Sequence, residues 1–155
     1  MTKRPRVAEP QLSAWKALLR AHAVAVGQIE ERLAASKQIT LSEYDVLLEL
    51  KTAEQGSLRM HELARRVVLS RSGLTRLADR LEKQGFLQRV PDPVDRRGLL
   101  LELTSSGRDA LAAAWPVYAD GINAAFAQHL GEDDARHVAR ALQRVSDASL
   151  EPTLK

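Results

Sequence analysis

The sequence predicts a mainly α protein of the α+β class, six helices with a small hairpin between the fourth and the fifth, and three observations carry that prediction. Apolar residues recur at intervals of three and four along six segments, the period of a helix stripe. Two short apolar runs, Phe86–Val90 and Leu99–Thr104, flank Pro91–Gly98, whose prolines and glycine mark a loop. Between Arg59 and Arg97, ten basic residues stand against five acidic ones, a net +5 in a chain whose total charge is +3. Positive charge concentrated in this way suits an anionic partner, most commonly nucleic acid.

The length of 155 residues fits one compact unit or two closely shared ones. With 45% hydrophobic and 28% charged residues, the composition is that of a folded globular chain rather than a disordered or fibrous one. No run approaches the roughly 20 apolar residues of a membrane helix. The basic start Met1-Thr2-Lys3-Arg4-Pro5-Arg6 has no apolar segment behind it, so a cytoplasmic protein is expected. The absence of cysteine excludes a disulfide framework, thiolate zinc, iron–sulfur clusters and a thiol switch.

The first helix is expected from Gln11 to about Ala34, with Leu12, Trp15, Leu18, Leu19, His22, Val26, Ile29 and Leu33 on its stripe. A helix of that length spans about 36 Å, more than a small domain covers, so part of the stripe is expected to meet a second chain. Thr40 and Glu43 have capping-box spacing ahead of Tyr44, Leu47 and Leu48, opening a second helix that runs to about Glu54. Gln55-Gly56-Ser57 breaks it, Leu58-Arg59 is short and extended, and Met60–Val67 forms a third helix burying Leu63, Ala64 and Val67. Ser70 then caps a fourth helix, Arg71–Gln84, with Leu74, Leu77, Ala78 and Leu81 inward and Gly85 as its stop. Its outer face carries Ser72, Thr75, Arg76, Asp79 and Lys83, flanked by Arg71 and Arg80.

After the hairpin, Thr104-Ser105-Ser106-Gly107 caps a fifth helix expected to turn Leu111, Trp115, Tyr118, Ile122 and Phe126 inward and to bend at Pro116. Glu132-Asp133-Asp134 suits the start of a sixth helix, where the helix dipole favours negative charge. Ala135, Val138, Leu142 and Val145 give it a heptad-like stripe. Three helices followed by a hairpin with a basic tip make a winged helix-turn-helix. In that arrangement the fourth helix meets base edges in the major groove, and arginines at the hairpin tip suit the narrow minor groove. The candidate DNA-binding residues are Ser70, Arg71, Ser72, Thr75, Arg76 and Arg80 on the recognition helix, and Arg96 and Arg97 on the wing.

At these residues the chain resembles the MarR family of transcription regulators, from Leu12 to Ser149. The most specific part is Asp92-Pro93-Val94-Asp95-Arg96-Arg97-Gly98 followed by Leu103-Thr104 and Gly107, similar to the family's wing signature. Glu62-Leu63-Ala64 and Ser70 through Arg89 are similar to its third helix, recognition helix and first wing strand. The resemblance implies that Asp95 holds Arg97 by a salt bridge so that Arg97 enters the minor groove, with Arg96 beside it on phosphate. It further implies an obligate homodimer built from the first, fifth and sixth helices. The expected division is therefore a helical dimerisation region at 1–35 and 105–155, and a winged helix-turn-helix domain at 36–104. Such a dimer reads a pseudo-palindrome with half-sites roughly 10 base pairs apart.

The resemblance also implies a small aromatic or anionic effector, for which Trp15, His22, Tyr44 and Arg89 are the pocket candidates. Trp15 and Tyr44 lie on helical stripes and read more readily as core residues than as pocket residues, and His22 more readily as an interface residue. The function expected is that of a homodimeric repressor of transcription on double-stranded DNA. A winged-helix protein-interaction module without specific DNA binding is the alternative. No catalytic site, cofactor or metal is expected: nucleotide-binding, hydrolase and metalloprotease motifs are absent, and His22, His61, His129 and His137 never stand at i, i+4. Residues 1–9 and 150–155 are expected to be mobile.

Overall fold

The computed structural model describes residues 6–95 and 97–150. Arg96 and the outermost termini lie outside the described residues. The elements, in chain order, are α1 (Glu9–Ser36), α2 (Leu41–Thr52), β1 (Ser57–Arg59), α3 (Met60–Arg66), α4 (Arg71–Lys83), β2 (Leu87–Pro91), β3 (Leu99–Leu103), α5 (Ser105–Ala125), a 3-10 turn at Ala127–His129, and α6 (Glu132–Leu150). The fold is mostly helical with one small sheet, and it forms two compact units. One is Ile29–Ala119, and the other gathers Met1–Gln28 and Asp120–Lys155.

The Ile29–Ala119 unit is assembled by local rules the chain obeys closely. Thr40 opens α2 with a full capping box: its N–H donates to Glu43 Oε2 at 2.8 Å, and the Glu43 N–H donates to Thr40 Oγ1 at 3.3 Å. Glu43 is buried, and its second oxygen accepts from Arg80 Nε at 3.0 Å, which ties α2 to α4. Helix α4 ends in a Schellman motif. Gly85 sits at φ +78°, its N–H reaches the Glu82 carbonyl, and the Phe86 N–H reaches that of Leu81, each at 2.9 Å.

The hairpin gains a third strand. The sheet order is β1-β3-β2, antiparallel throughout, with Leu58 opposite Leu101 and Arg89 also opposite Leu101 on its other side. Leu33, Val46, Leu47, Leu50, Leu63, Leu74, Leu81, Leu87, Leu101 and Leu103 are fully buried and form the core. Burying each contributes on the order of 1.5–3 kcal/mol.

Several stripe residues are not where periodicity places them. Of the expected inward face of α5, Leu111 is buried, whereas Trp115 is 52% and Phe126 42% exposed. Helix α5 stops at Ala125, and Phe126 leaves helical geometry at φ −141° to start the 3-10 turn, so it is no longer on the stripe. On α1, Ile29 and Leu33 are buried, but Trp15 is 55% exposed and Leu18, Leu19 and Val24 are exposed with it. The unit that holds Met1–Gln28 and Asp120–Lys155 thus presents apolar side chains from α1 and α6 to its surface, Leu142 and Val145 among them.

Candidate nucleic-acid interface

Helix α4 is amphipathic in the sense a groove-binding helix requires. Leu74, Leu77, Ala78 and Leu81 face the core, and Arg71, Ser72, Thr75 and Arg76 are exposed on the other side. Among the described residues no carboxylate pairs with Arg71 or Arg76, so both guanidinium groups keep all their donors for a partner. Thr75 Oγ1 donates to the Arg71 carbonyl at 3.0 Å. That bond spends the hydroxyl hydrogen and leaves lone pairs and a methyl group facing outward, suited to an amino group or a thymine methyl.

Two residues expected at the interface do structural work. Ser70 is the N-cap, its Oγ accepting the Gly73 N–H at 3.1 Å. Ser70→Ala should therefore cost about 1 kcal/mol of stability in urea denaturation; an unchanged midpoint would show that the cap bond contributes nothing. Arg80 Nε is held by Glu43, which ties α4 to α2, while the rest of its side chain stays exposed.

The wing is organised around Asp92, not around the expected Asp95–Arg97 salt bridge. Asp95 Oδ1 accepts the backbone N–H of Arg97 at 3.1 Å, and no ion pair joins the two side chains among the described residues. The Arg97 side chain is exposed at the tip. Asp92 Oδ1 accepts the N–H groups of Val94 at 2.8 Å and Asp95 at 3.1 Å. Asp92 Oδ2 accepts from Arg59, at 2.7 Å from Nε and 2.5 Å from Nη2. The Val94 and Asp95 N–H groups hold the Asp92 carboxyl below the ordinary carboxylate range, against the opposing effect of burial, and Arg59 adds to the lowering.

Stability from such a group is present above the ordinary value of about 3.9 and is lost as pH falls through the lower folded value. Hydrogen exchange at the wing amides should therefore accelerate as pH drops from about 5 towards 3, beyond the intrinsic pH trend, and Asp92→Asn should remove that acid dependence. Identical acid profiles in the two proteins would assign the dependence to another group.

The four effector candidates are divided between the two units. Trp15 and His22 are exposed in the unit with Met1–Gln28, and Tyr44 and Arg89 belong to the other. Arg89 is not available to an anion: Nη2 donates to Asp79 Oδ1 at 2.6 Å and Nη1 pairs with Glu82. Tyr44 is buried, with its ring centroid 4.3 Å from that of Tyr118, and Trp115 lies 6.2 Å beyond. A cavity of about 440 Å³ beside them is lined by Tyr44, Leu48, Lys51, Leu111, Ala112 and Trp115. Burial, with Asp45 nearby, raises the Tyr44 and Tyr118 phenols above their ordinary value, so both stay protonated. Leu48 and Lys51 follow Tyr44 at i+4 and i+7 on α2, a spacing that marks them as its neighbours in the sequence itself.

Among the described residues no helix is long and apolar enough to cross a membrane, and no cluster of acidic or histidine side chains is placed to hold a metal ion.

A family model described as the MarR family matches residues 39–99. The transcriptional activatory protein BadR of Rhodopseudomonas palustris is 33% identical over 122 residues, covering 75% of this chain and 67% of BadR. The chain spans 40% to 67% of the length of BadR and other curated relatives, among them the transcriptional repressor MprA of Escherichia coli and the multiple antibiotic resistance protein MarR of Salmonella typhimurium. A MarR family transcriptional regulator of Streptomyces coelicolor, crystallised in complex with DNA, superposes with a TM-score of 0.81 at 24% identity over 99% of this chain and 95% of that one. BpsR of Bordetella bronchiseptica, whose DNA binding is regulated by 6-hydroxynicotinic acid, gives 0.74 at 23% identity over 92% and 98%.

Proposed function

This chain belongs to the MarR family of transcriptional regulators, and on that premise we propose that it is a homodimer that binds a pseudo-palindromic promoter site and represses transcription. The observation that carries the reading is the joint exposure of Arg71, Ser72, Thr75 and Arg76 on α4 and of Arg97 on the wing, within one compact unit. Recognition helix and wing tip then address adjacent grooves of one duplex. The winged helix-turn-helix domain is residues 36–104. The dimerisation region is 1–35 with 105–155, where the exposed Trp15, Leu18, Leu19 and Leu142 supply an apolar surface for a second copy. Footprinting on a selected operator should show two-fold symmetric protection with half-sites about 10 base pairs apart. Protection of a lone half-site would overturn the dimeric reading.

Repression follows from position, since a dimer seated on promoter DNA excludes polymerase without further parts. The name of BadR supports a second reading, activation. Run-off transcription from the bound promoter separates them by the direction in which transcript changes. We further propose that a small aromatic acid binds the cavity at Tyr44, Lys51 and Trp115, its carboxylate meeting the Lys51 ammonium, and releases DNA. A panel of aromatic acids that shifts neither thermal stability nor operator affinity would remove this part.

A further inference from the structure

We propose that Arg59 and Asp92 are positioning residues for DNA binding: their ion pair locks the root of the wing to β1 and so fixes where Arg97 is delivered. This rests on the DNA-binding reading above. The first sign is a misfit. Position 59 is the N-cap of α3, where a short side chain with an acceptor oxygen is favoured because it bonds the first free N–H groups of the helix. Arginine has five donors and no acceptor. The Arg59 N–H does donate to Glu62 Oε2 at 2.8 Å, which is one half of a capping box; the other half is beyond the chemistry of a guanidinium. The side chain that forfeits the cap is used elsewhere.

Its destination is across the sheet. Strand β3 lies between β1 and β2, and Asp92 immediately follows β2, so the Arg59 side chain spans the sheet to meet it. The carboxylate is divided cleanly. Oδ2 takes both Arg59 donors, and Oδ1 takes the Val94 and Asp95 N–H groups that shape the turn. The Asp92 side chain is 3% exposed, and a carboxylate so buried is held in place by its partners, because losing one leaves a charge uncompensated.

The far side of the wing closes on the same group. A Cβ at Gly98 would lie 3.2 Å from Asp92 Cβ, and the Asp92 N–H donates to the Gly98 carbonyl at 3.1 Å. From Asp92 the connection continues through the Asp95 N–H, and the Asp95 carboxylate in turn takes the Arg97 N–H. Arg59, Asp92, Asp95 and Arg97 thus form one continuous chain of bonds from β1 to the wing tip.

The test compares Arg59→Ala, Asp92→Asn and their combination for operator affinity, with wing hydrogen exchange measured without DNA. Asn turns a donor toward the guanidinium and so breaks the lock, while the turn keeps an acceptor oxygen, a neutral and weaker one. Each single change should weaken binding about tenfold, the combination no more than the worse single, and each should be nearly silent once Arg97→Ala is present. Asp92→Asn is the sharpest arm, because it removes a negative charge and bulk electrostatics alone would tighten binding. Arg59→Lys should recover part of the affinity through its single ammonium.

The amides of Val94, Asp95 and Arg97 should exchange faster in both variants, with those of α4 unchanged. Additive losses, or tighter binding by Asp92→Asn, would overturn the proposal and assign Arg59 a direct phosphate contact. If the wild-type protein shows no site-specific DNA binding, the functional reading falls, and the exchange data alone decide whether the lock exists.

Discussion

Gly107→Ala is expected to lower stability by about 3 kcal/mol, although helix propensity alone favours alanine by about 1 kcal/mol at a helical position. Gly107 lies in the first turn of α5, against the chain that leaves α4. A Cβ there would stand 2.1 Å from the Phe86 carbonyl oxygen, 2.6 Å from Leu103 Cδ1 and 3.0 Å from the Phe86 carbonyl carbon. The leucine can turn aside, but the carbonyl is backbone and is itself engaged, accepting the Thr104 N–H at 3.2 Å.

Moving it would disturb a junction held at three points. Thr104 Oγ1 donates to the Gly85 carbonyl at 2.6 Å and accepts the Gly107 N–H at 3.1 Å, so one hydroxyl both caps α5 and ties it to the end of α4. For a chain of this length a loss of that size lowers Tm by roughly 10 °C, to be measured by thermal denaturation. A melting temperature within about 2 °C of wild type would show that the junction relaxes freely and that the close approach does not explain the glycine.

Arg97→Ala is the second large effect, and it lies in binding rather than in stability. Its side chain makes no bond with another described residue, so the fold should be unchanged. Affinity should fall by about 1–3 kcal/mol on every operator, with the slope of log K against log salt shallower by about one if the arginine meets phosphate. Unchanged affinity would remove the wing from the mechanism. Thr75→Ala should behave differently, shifting sequence preference more than total affinity, because a hydroxyl and a methyl read base edges and do not neutralise phosphate. Equal losses on specific and random DNA would show that Thr75 does not read sequence.

What the sequence made legible was local. The Thr40–Glu43 box, the Ser70 cap and the Gly85 stop each depend on residues within a few positions, and all three form. The winged arrangement followed from the order of such elements. Partners far apart in sequence were not legible: Arg80 and Glu43 are 37 positions apart, and Arg59 and Asp92 are 33.

The tie from Arg80 to Glu43 was therefore not visible in the sequence, and Arg59 read only as part of a basic total. Arg89 shows the same effect more closely, since Asp79 and Glu82 claim it once β2 folds back beside α4. Periodicity placed Trp15 and Trp115 on stripes, but burial depends on what faces the stripe, and within this chain neither is buried. The residues Thr104 and Gly107 were visible as a motif, while the reason for the glycine needed the Phe86 carbonyl 21 positions earlier.

Site-specific DNA binding through α4 and the wing can be read out by fluorescence anisotropy. Purified protein would be titrated against DNA from upstream of its own gene and against random DNA at two salt concentrations. The predicted result is saturable binding with a clear margin over random DNA, weakening steeply with salt because each neutralised phosphate releases counterions. No binding to either duplex at low salt would rule out DNA as the partner and leave a winged helix that meets only protein.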